Sequence, residues 1–144
     1  MNGENINNPG DGLRILIAPL DWGLGHATRC IPIIYALINA GATVLVAGNH
    51  NQEAILKKEF PQLLFLSLEG YNIIYGKHKR TFLLKLLSQF PGIKKTLQYE
   101  HNWLKKVVGE YKVDAVISDN RFGLFHENIP TVYITHQLHI ETGI

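Results

Sequence analysis

Cysteine is almost missing from this sequence: Cys30 is the only one in 144 residues. That excludes an intrachain disulfide and any metal site built on cysteine. No apolar run approaches the roughly 18 residues that a membrane-spanning helix needs. The opening MNGENINNPGDG lacks the basic start and apolar stretch of a signal peptide, so a cytoplasmic chain is expected. One-sided charge is lacking too, because a net charge of +2 gives no global case for nucleic-acid binding. No pair among the seven histidines has metal-ligand spacing, so no metal is expected. What is present is 46% hydrophobic residues against 18% charged, enough for one globular domain with a real core.

The pattern along the chain alternates. Residues 1–12 read as a polar, disordered lead-in to a domain over 13–144. LRILIAP, TVLVAG, LLFLSL, VDAVISDN and TVYITHQ are short apolar runs bounded by turn residues, which predicts five strands. Between them, HATRCIPIIYALINAG predicts a helix closing on Gly41, and NQEAILKKEF a short helix stopped by Pro61. After a loop at 69–78 come two amphipathic stretches broken at Pro91-Gly92. Phe82, Leu83, Leu86, Leu87 and Phe90 share a face of the first; Ile93, Leu97, Leu104, Val107 and Val108 share one of the second. Strands that are apolar throughout are buried on both faces, and helices between them imply a parallel sheet. The expected fold is therefore α/β, a Rossmann-like three-layer α/β/α domain with strand order 3-2-1-4-5.

Ligands in such folds bind at the carboxyl ends of the strands. The turns there are LDWGLGH, SDNRFG and THQLH, and they hold polar residues. The first resembles a phosphate loop, but no Gly-Lys-Ser/Thr follows Gly25. A dinucleotide fingerprint would need a third glycine where Thr28 stands, and an acid after the second strand, which ends AGNH. What remains is a turn in which Gly23 and Gly25 allow close approach to a helix N-terminus, with His26 in its first turn. His26 is then either a general base or a capping residue of no chemical role. Asp119, across the crevice between strands 1 and 4, is either the carboxylate that orients it or a loop cap. Asn120, Arg121 and His136 are further candidates for substrate contact on the same rim. His101 reads as partly buried structure, and His50, His78, His126 and His139 as loop residues.

DWGLGHATRCIPIIYAL followed by GATVLVAG, with AVISDNRFGLFHENIPTVYITHQ near the end, resembles the acceptor-side N-terminal domain of GT-B glycosyltransferases. The likeness is to the group that includes the bacterial peptidoglycan N-acetylglucosaminyltransferase, and it covers most of 13–137. It implies an inverting, metal-independent transfer of a sugar to a hydroxyl of a lipid-linked or cell-envelope glycan. It also implies no bound cofactor, with a UDP-sugar donor held mainly by a second Rossmann-like domain that this chain does not contain. The chain is on that view a fragment, inactive by itself. His26, Gly23 and Gly25 match the family's glycine turn and its following histidine. Where the family often has Gly-Gly-x-Gly-Gly-His, Asp21 and Trp22 stand here, so the turn is not expected to cradle a diphosphate, and Asp21 is assigned to a sugar hydroxyl. A nucleotide-sugar epimerase of the same architecture and a non-catalytic sugar- or nucleotide-binding module are the rival readings.

One segment is electrically distinct. Residues 77–106 carry eight basic side chains against the single acid Glu100, a local charge of +7 set against −5 elsewhere. The preferred reading is a pair of helices that cover the sheet and point their lysines at solvent. The alternative is peripheral contact with a membrane surface.

Overall fold

The computed structural model describes residues 12–70 and 79–135, without the side chains of 79–87, 89 and 90. Residues 1–11 of the expected lead-in, Lys77, His78, His136 and His139 lie outside the described residues. Five strands form one sheet: β1 (Arg14–Pro19), β2 (Thr43–Gly48), β3 (Leu64–Ser67), β4 (Ala115–Asp119) and β5 (Thr131–Ile134). Every pairing is parallel and the order is β3-β2-β1-β4-β5. The domain is thus α/β and Rossmann-like, with its topological switch between β1 and β4.

Three helices fill the crossovers: α1 (Leu24–Asn39), α2 (His50–Glu59) and α3 (Lys79–Tyr111). One side of the sheet buries Ile17, Val44 and Val46 with Ala27, Cys30 and Ile34 of α1 and Leu56 of α2. The other buries Leu16, Leu45 and Val116 with Leu104 and Val107 of α3. α1 stops in a Schellman arrangement, where Gly41 takes φ 87° and Ala42 N–H reaches back to Leu37 O. α2 starts in a capping box, with Asn49 accepting from Gln52 N–H and the Gln52 side chain accepting from Asn49 N–H.

Three expectations need correction. The two amphipathic stretches are one helix, α3, with Pro91 inside it. A proline removes one backbone bond and bends a helix, but Pro91 and Gly92 are exposed, so water can take up the freed carbonyl. β3 and β5 are not buried on both faces; Leu64 and Val132 lie open because these are the edge strands. His50 opens α2 and is not a loop residue. In the described part of α3 the lysines at 94, 95, 105 and 106 are exposed while Leu104 and Val107 are buried, as a helix covering the sheet requires. No helix among the described residues is long and apolar enough to cross a membrane.

Candidate functional site: a histidine and an arginine share one buried carboxylate

Parallel pairing sets Asp119, the last residue of β4, opposite Pro19, the last residue of β1. The chain leaves β1 through Leu20–Trp22 and turns at Gly23, whose φ of 80° suits glycine, into α1. His26 and Arg29, three residues apart on α1, fall on one side of the helix, toward the end of β4. There Asp119 is wholly buried and takes three contacts. His26 Nδ1 lies 3.0 Å from Oδ2, Arg29 Nε donates to the same oxygen at 2.9 Å, and Arg29 Nη2 donates to Oδ1.

These contacts fix the protons. A guanidinium is a permanent cation, so the carboxylate it grips is an anion that can only accept. Nδ1 of His26 must then be the donor, so that a neutral ring would carry its lone pair on Nε2. The His26 side chain keeps 12% of its surface in contact with solvent and Arg29 keeps 33%, so the pair is partly open to solvent rather than sealed in the core. The hydrogen bond to Asp119, first, and its negative charge hold Arg29 above its ordinary value. Burial, first, and Asp119 push the neighbouring Cys30 thiol up to about 12, so it stays protonated and is no rival nucleophile.

The other residues singled out from the sequence divide. Asp21 lies against the backbone of Gly70, where a Cβ would collide with its carboxylate, and its Oδ1 is buried without a hydrogen-bond partner among the described residues. Gly25 needs no glycine for its own packing, since a Cβ there would meet nothing within 4 Å. Asn120 takes φ 55° and is nearly buried, and its N–H donates to Ile134 O. Arg121 does not face the cleft at all. It is fully buried, and its guanidinium donates to Pro19 O, Glu69 O and Glu100 Oε1 at 2.9, 3.1 and 2.9 Å.

Sequence reasoning missed Arg29, Gln52 and the exposed apolar rim. The Gln52 amide donates to Pro19 O at 3.1 Å and Leu20 O at 2.8 Å. Arg121 and Gln52 therefore hold the end of β1 from the two sides of the sheet. Trp22, Leu24 and Phe122, on the loops at this end, are 40%, 59% and 65% exposed. A depression of about 320 Å³ lined by Arg14, Thr43, Gln62 and Leu64 lies at the amino ends of the strands, far from these groups.

The fold has a counterpart among solved glycosyltransferase structures. Among solved structures, the chain is similar to SsfS6, a glycosyltransferase of Streptomyces sp. SF2575. The TM-score is 0.53 at 19% identity, over 76% of this chain and 34% of that one. Looser likenesses are LpCGTa, solved in complex with UDP, and UGT73P12 of Glycyrrhiza uralensis, solved with glycyrrhetinic acid 3-O-monoglucuronide. Their TM-scores are 0.49 and 0.47 at 18% and 11% identity, each over 75% of this chain and 25% and 24% of theirs. The chain thus spans about a third of the first structure's length and a quarter of the others'. No protein-family model and no curated protein matches its sequence.

Proposed function

We propose that this chain is the acceptor-binding part of a nucleotide-sugar-dependent glycosyltransferase, with His26 as general base and Asp119 as the group that orients it. The observation that carries the reading is the His26–Asp119 pair at the switch point of a glycosyltransferase fold. An acceptor hydroxyl gives its proton to Nε2 as its oxygen attacks the anomeric carbon. The new carbon–oxygen bond forms as the bond to the nucleoside diphosphate breaks, with inversion, and Asp119 stabilises the imidazolium produced. The glycine at position 25 leaves room for the acceptor beside the ring, and Trp22, Leu24 and Phe122 offer it an apolar rim. A UDP-sugar is the donor, N-acetylglucosamine the first sugar to test, and a lipid-linked or cell-envelope glycan the acceptor. The exposed lysines of α3 would then face an anionic bilayer.

In the full-length protein, His26→Ala should lower kcat by about 10²–10⁴-fold with KM little changed. Transfer at nearly the parental rate would remove His26 as the base. UDP-sugar interconversion without an acceptor would instead place the chain in an epimerase, and binding with neither reaction would make it a sugar- or nucleotide-binding module.

A further inference from the structure

The Asp119 carboxylate is wholly buried, and its two nitrogen partners differ in kind: one carries a fixed charge, the other a charge it can gain or lose. A buried carboxylate without a counter-ion is unstable and recruits a proton or a cation. Had Asp119 only His26 beside it, the cheapest remedy would be to protonate the imidazole, giving a sealed ion pair with no lone pair left on Nε2. Arg29 removes that need by gripping both carboxylate oxygens. We infer that Arg29 is a positioning residue whose charge keeps His26 a neutral base with its proton on Nδ1.

The inference rests on the reading of His26 as a base, but its geometry is independent of any substrate. Asp119 on β4, Arg29 one turn along the same helix and the amino end of α1 all act on the ring. On β5 burial, first, with Glu100 and Asp119 pushes the Tyr133 hydroxyl up to about 12, so it carries no charge at pH 7. Two other ionisable groups stand close in sequence. Asp21 on the preceding turn lies against Gly70, and the Cys30 thiol stays protonated. Both Arg29 and the helix end oppose a second proton on His26, and Asp119 favours it. Removing Arg29 tips the balance toward the imidazolium.

The test is the ring ¹⁵N spectrum of His26 in the histidine-labelled 144-residue chain at pH 7, assigned by comparison with His26→Gln. The parental chain should give the neutral pattern with Nδ1 protonated. Arg29→Gln should shift it toward the doubly protonated pattern, and Arg29→Lys should restore the neutral one, because charge rather than shape is what matters. In the full-length protein the same substitutions should cut turnover about tenfold or more and rescue it, respectively. A neutral ring in Arg29→Gln overturns the inference, as does a doubly protonated ring in Arg29→Lys, which carries the test by itself if Arg29→Gln does not fold. Because the spectrum needs no donor or acceptor, a failure of the transferase reading leaves this result standing, and the reverse.

Discussion

Two buried carboxylates in this domain each bind an arginine, yet they are built for different ends. On the α3 side of the sheet, Glu100 and Arg121 are both fully buried; Glu100 also accepts from Gly123 N–H, and Arg121 also donates to two backbone carbonyls. On the α1 side, Asp119 is equally buried, but Arg29 and His26 keep part of their surface in water. The first pair is closed on all sides and spends its hydrogen bonds on the chain itself, drawing β1, the β3–α3 connection and α3 together. The second ends in an imidazole that is partly open to solvent. The comparison teaches that burial of the acid alone does not decide what it does; where the partners of that acid lead decides whether solvent can reach them.

The contrast is sharpest under substitution. Arg121→Met should destabilise the domain by about 3–5 kcal/mol, because Glu100 would lose its guanidinium partner in the interior. Urea unfolding measures this directly, and a loss below about 1 kcal/mol would mean that the pair is not a structural hub. Asp119→Asn should cost less, since Arg29, one-third exposed, can turn to water when its partner is neutralised. If the two substitutions proved equally damaging, the distinction between the pairs would fall.

The sequence carried part of this distinction. Five apolar runs separated by helices were enough to read strand order, and with it the facing of β1 and β4 that brings His26 to Asp119. Arg29 was not legible: on paper it is one polar residue of a helix, and only the strand register decides that it meets Asp119. Arg121 was misplaced because polar loops at strand ends usually line the cleft. The signal that could have corrected it is Glu100, the single acid among eight basic residues, placed between Leu97 and Leu104 on the apolar stripe of α3. An acid at a core-facing position demands a buried cation, and Arg121 supplies it. The continuity of α3 through Pro91 was illegible for another reason, since proline reads as a break unless the exposure of its helix face is known.

Gln52 offers a smaller version of the Arg121 experiment from the opposite side of the sheet. Its amide reaches the carbonyls of Pro19 and Leu20, just before the glycine turn, while its backbone closes the cap of α2. Gln52→Leu leaves Leu20 O without that donor and Asn49 N–H without its side-chain acceptor, and should cost about 1–3 kcal/mol. Pro19 O retains Arg121, so the strand end should hold and the His26 ring spectrum should stay as in the parental chain. A changed spectrum would show that both clamps, not Arg121 alone, set the turn that delivers His26.

The third ion pair completes the series at its weak end. Lys57 Nζ lies 2.6 Å from Glu53 Oε1, one helical turn apart on α2, with side chains 49% and 33% exposed. Water already solvates both charges, so neither is stranded when the other is lost, and the gain is limited by side-chain entropy and screening. Lys57→Met should change stability by no more than about 0.5 kcal/mol, and the difference should shrink further in high salt. Its bond is shorter than that of Glu100 with Arg121, yet its expected contribution is several-fold smaller. A loss comparable to that of Arg121→Met would mean that distance, not burial, ranks the pairs. The separation between the closed and the partly open carboxylate pairs would then have to be drawn on other grounds.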